Sequence, residues 1–97
     1  MHTPALDLLL TGYFHEDYAE DFGDDRATVK AFIEMEPDLA ARLAEDIEAV
    51  LAEHGSEAEV EAWVLARRSP YRPGIPWASW LASVRQQVIN EPIGGDG

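Results

Sequence analysis

Apolar residues recur along this chain at helical rather than strand intervals. Thr3 followed by Pro4 has the form of a helix N-cap and first helical position. Leu6, Leu9, Leu10 and Tyr13 then fall on one stripe, with Gly12 marking its end or a bend. A second helix is predicted from Asp24 or Asp25 to about Glu36, carrying Val29, Phe32 and Ile33 inward. Pro37 disfavours helical backbone at the residue before it and suits the first position of the next helix. That third helix, about Pro37 to His54, is the most regular. Leu39, Leu43, Ile47, Val50 and Leu51 are spaced by 4, 4, 3 and 1, and Gly55 is expected to supply a left-handed C-terminal residue.

In "SEAE", Ser56 and Glu59 form a capping box for a fourth helix running to about Arg68, with Val60, Trp63, Val64 and Leu65 facing inward. The stretch "SPYRPGIP" places Pro70, Pro73 and Pro76 around Gly74, which neither a helix nor a central strand tolerates, so it reads as an extended connector. A fifth helix follows, with Trp77, Trp80, Leu81, Val84 and Val88 on one face, and the tail "NEPIGGDG" should fray. No segment alternates apolar and polar residues long enough to argue for a sheet. The expected fold is all-α, a compact bundle of about five helices in one domain over residues 1–90, with a C-terminal tail over 91–97.

Composition narrows the chemistry. The 97 residues are 46% hydrophobic, enough for an ordinary core and against disorder despite the acidity. There is no cysteine, which removes disulfides, thiolate nucleophiles and cysteine-held metals. The start "MHTPALDLLLTG" has no basic n-region and too short an apolar run for a membrane span, so a cytoplasmic location is expected. Net charge is −12 and unevenly placed. Residues 1–61 hold 17 acidic and 3 basic side chains (−14), and residues 62–97 hold 2 acidic and 4 basic (+2). Such a field repels nucleic acid and anionic lipid and attracts basic proteins over a Debye length of about 8–10 Å.

The densest segment is "GYFHEDYAEDFGDD", residues 12 to 25, with four aromatics and six carboxylates but no lysine or arginine. Phe14, Tyr18 and Phe22 would align on a helical continuation, and rings in such a stripe are first of all core. His15 lacks the partner four positions on that a two-histidine zinc motif needs, since position 19 is Ala, and His2 and His54 have no ligand spacing. No calcium loop, phosphate loop or nucleophile elbow is present. Metal ligation, a cofactor and catalysis are therefore not expected, and His15 is expected to bond a neighbouring turn.

The carboxylates Glu16, Asp17, Glu20, Asp21, Asp24 and Asp25 remain. A solvated face is the ordinary reading of such a run, but no cation within the segment relieves its self-repulsion. A helix N-terminus accounts for Asp24 and Asp25. Glu16, Asp17, Glu20 and Asp21 would form a row, a candidate docking face for a basic groove. Arg67, Arg68, Tyr71 and Arg72 surround the connector. Arg67 and Arg68 suit a helix C-terminus, while Tyr71 and Arg72 are residue types favoured as interface anchors and make a second contact candidate.

These residues resemble the all-helical CdiI immunity proteins of bacterial contact-dependent growth inhibition. The likeness rests on Tyr13, Phe14, His15, Asp17, Tyr18, Gly23, Asp24, Phe32, Tyr71, Pro73, Trp80 and Leu81, across about residues 6 to 85. Glu16 stands where that family usually has Gln, and Phe22 where it often has Tyr. The resemblance implies a non-enzymatic, cytoplasmic inhibitor that binds the C-terminal domain of its cognate toxin one to one. The toxin is expected to be a nuclease with a basic substrate groove, and the inhibitor to be a monomer when free. A small acidic adaptor that binds some other basic protein is the alternative. The motif residues look like fold residues, so the toxin-contacting surface is expected to vary among members.

Overall fold

The structure, a computed structural model, describes residues 3–14, 18–69 and 71–90. His15, Glu16, Asp17, Pro70 and the 91–97 tail lie outside the described residues, as does the side chain of Tyr18. Six α-helices and no strand occur among the described residues: α1 Pro4–Leu8, α2 Tyr18–Phe22, α3 Asp25–Met35, α4 Pro37–Glu53, α5 Glu57–Leu65 and α6 Trp77–Asn90. The bundle is all-α, with α2 as a short helix beyond the five expected. The 17-residue α4 is the spine, with α1, α3 and α6 packed along it and α5 against α6.

Pro4 opens α1 as expected, but Thr3 makes no side-chain cap and instead donates its hydroxyl to Asp7 at 3.2 Å. At Gly12 the chain neither stops nor simply bends. It widens into a π turn, Leu9–Tyr13, closed by the Phe14 N–H donating to the Leu9 carbonyl at 3.0 Å. The extra residue in that turn lets Leu9, Leu10, Tyr13 and Phe14 all reach the core. Phe22 stacks on Tyr13 at 5.8 Å and Phe14 packs on Tyr71 at 4.4 Å, while the Tyr18 side chain expected between them lies outside the described residues.

Gly23 turns the chain at φ 109, where an L side chain would be strained, and Asp24 caps α3 by accepting the Ala27 N–H at 2.8 Å. Val29, Phe32 and Ile33 are buried, and Glu36 breaks from helical geometry ahead of Pro37. In α4, Leu43, Ile47 and Val50 are buried and Leu39 and Leu51 pack at the margin. Gly55 is not left-handed: α4 ends because His54 turns extended (φ −113, ψ 108). Glu59 accepts the Gly55 N–H at 3.2 Å while Ser56 accepts the Glu59 N–H at 3.2 Å, so the capping box reaches back one residue further than the usual motif.

Helix α5 stops at Leu65, before Arg68, and Leu65 is 42% exposed rather than inward. The chain leaves through a tight turn in which Arg67 and Arg68 N–H groups bond the Val64 and Leu65 carbonyls, both at 3.0 Å. Arg68 occupies the left-handed region at φ 61, where a side chain costs about 1–2 kcal/mol that glycine avoids. Glycine's greater freedom when unfolded offsets part of that. Arg68→Gly is therefore expected to stabilise the fold by about 0.5–1 kcal/mol, seen as a higher denaturation midpoint in urea.

Candidate functional site

In the Pro-rich connector, Ser69 and residues 71–76 are non-helical as expected, and the first half is tied down. Ser69 Oγ donates to the Phe14 carbonyl at 3.4 Å and accepts the Tyr71 N–H at 3.3 Å. The Tyr71 ring lies between Phe14 (4.4 Å) and Trp80 (5.2 Å), with Trp77 edge-on at 6.2 Å. Its hydroxyl donates to Asp25 Oδ2 at 2.9 Å, and Trp80 Nε1 donates to the same oxygen at 3.2 Å. One carboxylate at the start of α3 thus holds both the connector and the first turn of α6.

That grip brings together two candidate regions that lie far apart in the chain. Asp24 and Asp25 stand at the α2–α3 junction, Glu20 and Asp21 are exposed on α2, and α2 packs on α3. Against this junction sits Tyr71 with its neighbour Arg72. Arg72 is exposed, and its Nη1 donates to the carbonyls of Ser69 and Tyr71, each at 2.8 Å. Tyr71 is 5% exposed, so its ring serves the core and its neighbour Arg72 carries the connector's outward chemistry. Asp24 and Asp25 are relieved by main-chain, hydroxyl and indole donors, not by arginine. The expected contacts Glu16 and Asp17 lie outside the described residues.

Arg67 plays the structural part anticipated for a helix C-terminus. Its Nη1 donates to the Trp63 carbonyl at 2.9 Å, its Nε meets Asp7 at 3.2 Å, and the guanidinium lies 3.5 Å above the Trp63 ring. Arg85 pairs with Glu48 at 2.7 Å.

Other carboxylates hold helix ends in trans, which nothing in the sequence pattern announces. Asp46, buried on α4, accepts the Ala5 and Leu6 N–H groups at 2.9 and 3.2 Å and so caps α1. Glu57 on α5 accepts the Trp77 and Ala78 N–H groups at 2.6 and 2.8 Å and caps α6. Glu36 accepts the Tyr13 hydroxyl at 3.2 Å. Burial, and then that bond and the carboxylate's charge, raise the phenol's pKa above its ordinary value. Part of the chain's acidity is thus fold chemistry. Among the described residues no group of three or more His, Asp or Glu is placed to hold a metal ion, and no helix is long and apolar enough to cross a membrane.

Compared with known families, residues 2–88 match the model described as CdiI immunity protein. No curated protein and no solved structure matches.

Proposed function

The chain belongs to the CdiI immunity protein family, and on that premise we propose that it neutralises a cognate growth-inhibition toxin by seating the α2–α3 acidic edge over the toxin's basic substrate groove. The observation that carries this reading is the Asp25–Tyr71 bond, which ties the acidic α2–α3 junction to the loop that carries Arg72. A nuclease must attract a polyanion, and a row of exposed carboxylates competes for the same field. Glu20 and Asp21 supply exposed negative charge, and Glu16 and Asp17 extend the row in sequence. The action is stoichiometric, one inhibitor to one toxin domain, and takes place in the cytoplasm where the toxin acts. It is also non-catalytic. The best-placed carboxylates, Asp25, Asp46 and Glu57, are already committed to the fold's own donors, which suits a binding protein rather than an enzyme.

Complementary charge governs encounter more than residence. Glu20→Lys with Asp21→Lys moves the edge by four charge units and is expected to slow association with the toxin domain roughly tenfold or more at low salt. The difference should shrink toward none in high salt, where the Debye length falls to about 3 Å. Stopped-flow association over a salt series reads this directly. A double variant that associates at the native rate in low salt would remove the acidic edge from the interface.

A further inference from the structure

We propose that Arg72 is a preorganised anchor for a carboxylate of the toxin domain, one that stands beside the toxin's basic groove and fixes the register of the complex. The inference rests on the functional reading above and adds to it the chemistry of a second contact.

In a chain with net charge −12, carboxylates are abundant, yet Arg72 forms no ion pair among the described residues. Its guanidinium is nevertheless not loose. Nη1 is held by two carbonyls of its own loop, and that loop is fixed in turn by the Ser69 hydroxyl and by a Tyr71 ring wedged between Phe14 and Trp80. Much of the ordering that a flexible arginine loses on binding has thus already taken place during folding. With Nη1 engaged inward, the Nε and Nη2 donors remain for an incoming acceptor, and a planar two-oxygen group fits them.

Phosphate and carboxylate both present such oxygens, and the surroundings choose between them. Asp24 and Asp25 stand at the junction that Tyr71 grips, with Glu20 and Asp21 close by in the chain. A nucleic-acid strand would bring a charge at every nucleotide into that field. A single carboxylate set in an otherwise cationic protein surface brings one charge, and the lysines and arginines around it meet the acidic edge at the same time. The pairing also carries register. If the toxin slid along the acidic row, one of its own cations would come to face Arg72, and like charges disfavour that position.

The test uses the full chain and the purified C-terminal toxin domain encoded beside it. Arg72→Ala is expected to dissociate about 30-fold faster or more, with the association rate within about threefold of native. Arg72→Lys, which keeps the charge but not the planar fork, should recover only part of the residence time. Because Arg72 also braces its loop, a purely structural role needs its own readout. Arg72→Glu should be rescued by an Asp or Glu to Arg change on the toxin, an exchange that a loosened loop would not permit. Native dissociation of Arg72→Ala, or the absence of any rescuing toxin position, overturns the anchor while leaving the inhibitor reading in place. A native chain that fails to hold the toxin domain overturns both.

Discussion

Asp46→Ala is expected to destabilise the fold by about 3 kcal/mol, in a protein whose total stability should be of order 5–15 kcal/mol. The first turn of any α-helix leaves its N–H groups without intrahelical partners. In α1 the N-terminal Thr3 side chain does not take them, and Ala5 and Leu6 are fully buried, so water has no route to them. Asp46 Oδ2 is the acceptor for both. Its removal strands two buried donors at roughly 1–3 kcal/mol each, softened by whatever relaxation the α1–α4 contact allows. Asp46→Asn keeps an acceptor oxygen and loses the charge, so it should cost about 1 kcal/mol, the difference between a charged and a neutral acceptor. For a domain of this size the alanine variant should melt roughly 12–20 °C lower. Thermal unfolding followed by circular dichroism distinguishes the two variants. If alanine and asparagine melt together, the trans cap is not what holds α1.

How the helices are punctuated was legible in the sequence, because the signals are local. Pro4, Asp24, Pro37 and Ser56 stand where the structure starts α1, α3, α4 and α5, and the 3–4 spacing of Val29, Phe32 and Ile33 or of Trp77, Trp80 and Leu81 names the buried faces. What was not legible depends on the partner across the core. The π turn at Leu9–Tyr13 arises because Tyr13 and Phe14 must reach different clusters, Tyr13 toward Phe22 and Phe32 and Phe14 toward Tyr71 and Trp80. Helical spacing alone cannot express that divergence. Gly55 has a glycine's freedom and does not use it, whereas Arg68 takes the left-handed position without being glycine. Asp46 lies next to Ile47 on the buried side of α4, but nothing in the spacing names the Ala5 and Leu6 donors it meets across the core. A carboxylate on a buried stripe has to find donors.

The candidate surface shows the same division. Charge density picked out Glu16 to Asp25, of which Glu20, Asp21, Asp24 and Asp25 are among the described residues, and residue type picked out Tyr71 and Arg72. That the two regions adjoin follows from a hydrogen bond spanning 46 positions, between Tyr71 and Asp25. The acidity also changes meaning. Asp24, Asp25, Glu36, Asp46 and Glu57 each accept from a donor the fold would otherwise leave wanting. Glu20 and Asp21 stand exposed on α2 and keep their charge at the surface, which is what the proposed basic partner would meet.

Trp80 is the residue on which fold and surface meet, and Trp80→Ala should cost about 3–5 kcal/mol. Its ring is 2% exposed and packs on Phe14 at 5.4 Å, Tyr71 at 5.2 Å and Trp77 at 5.6 Å. Its indole N–H is one of two donors holding Asp25. Deleting it opens a cavity at the centre of the aromatic cluster and leaves Tyr71 as the remaining clamp between connector and α3. Trp80→Phe retains much of the ring and loses the N–H, so it isolates the polar share, about 1–2 kcal/mol together with the smaller volume. Because the same clamp ties the loop that carries Arg72 to Asp25, affinity for the toxin domain should fall further than stability alone explains. At a temperature where Trp80→Phe is still almost wholly folded, its dissociation from the toxin should already be several-fold faster than native, an expectation at the level of about 1 kcal/mol. Equal residence times for Trp80→Phe and the native chain, measured on folded protein, would mean that the connector keeps its place without the indole, and that Tyr71 with Asp25 suffices to hold the surface together.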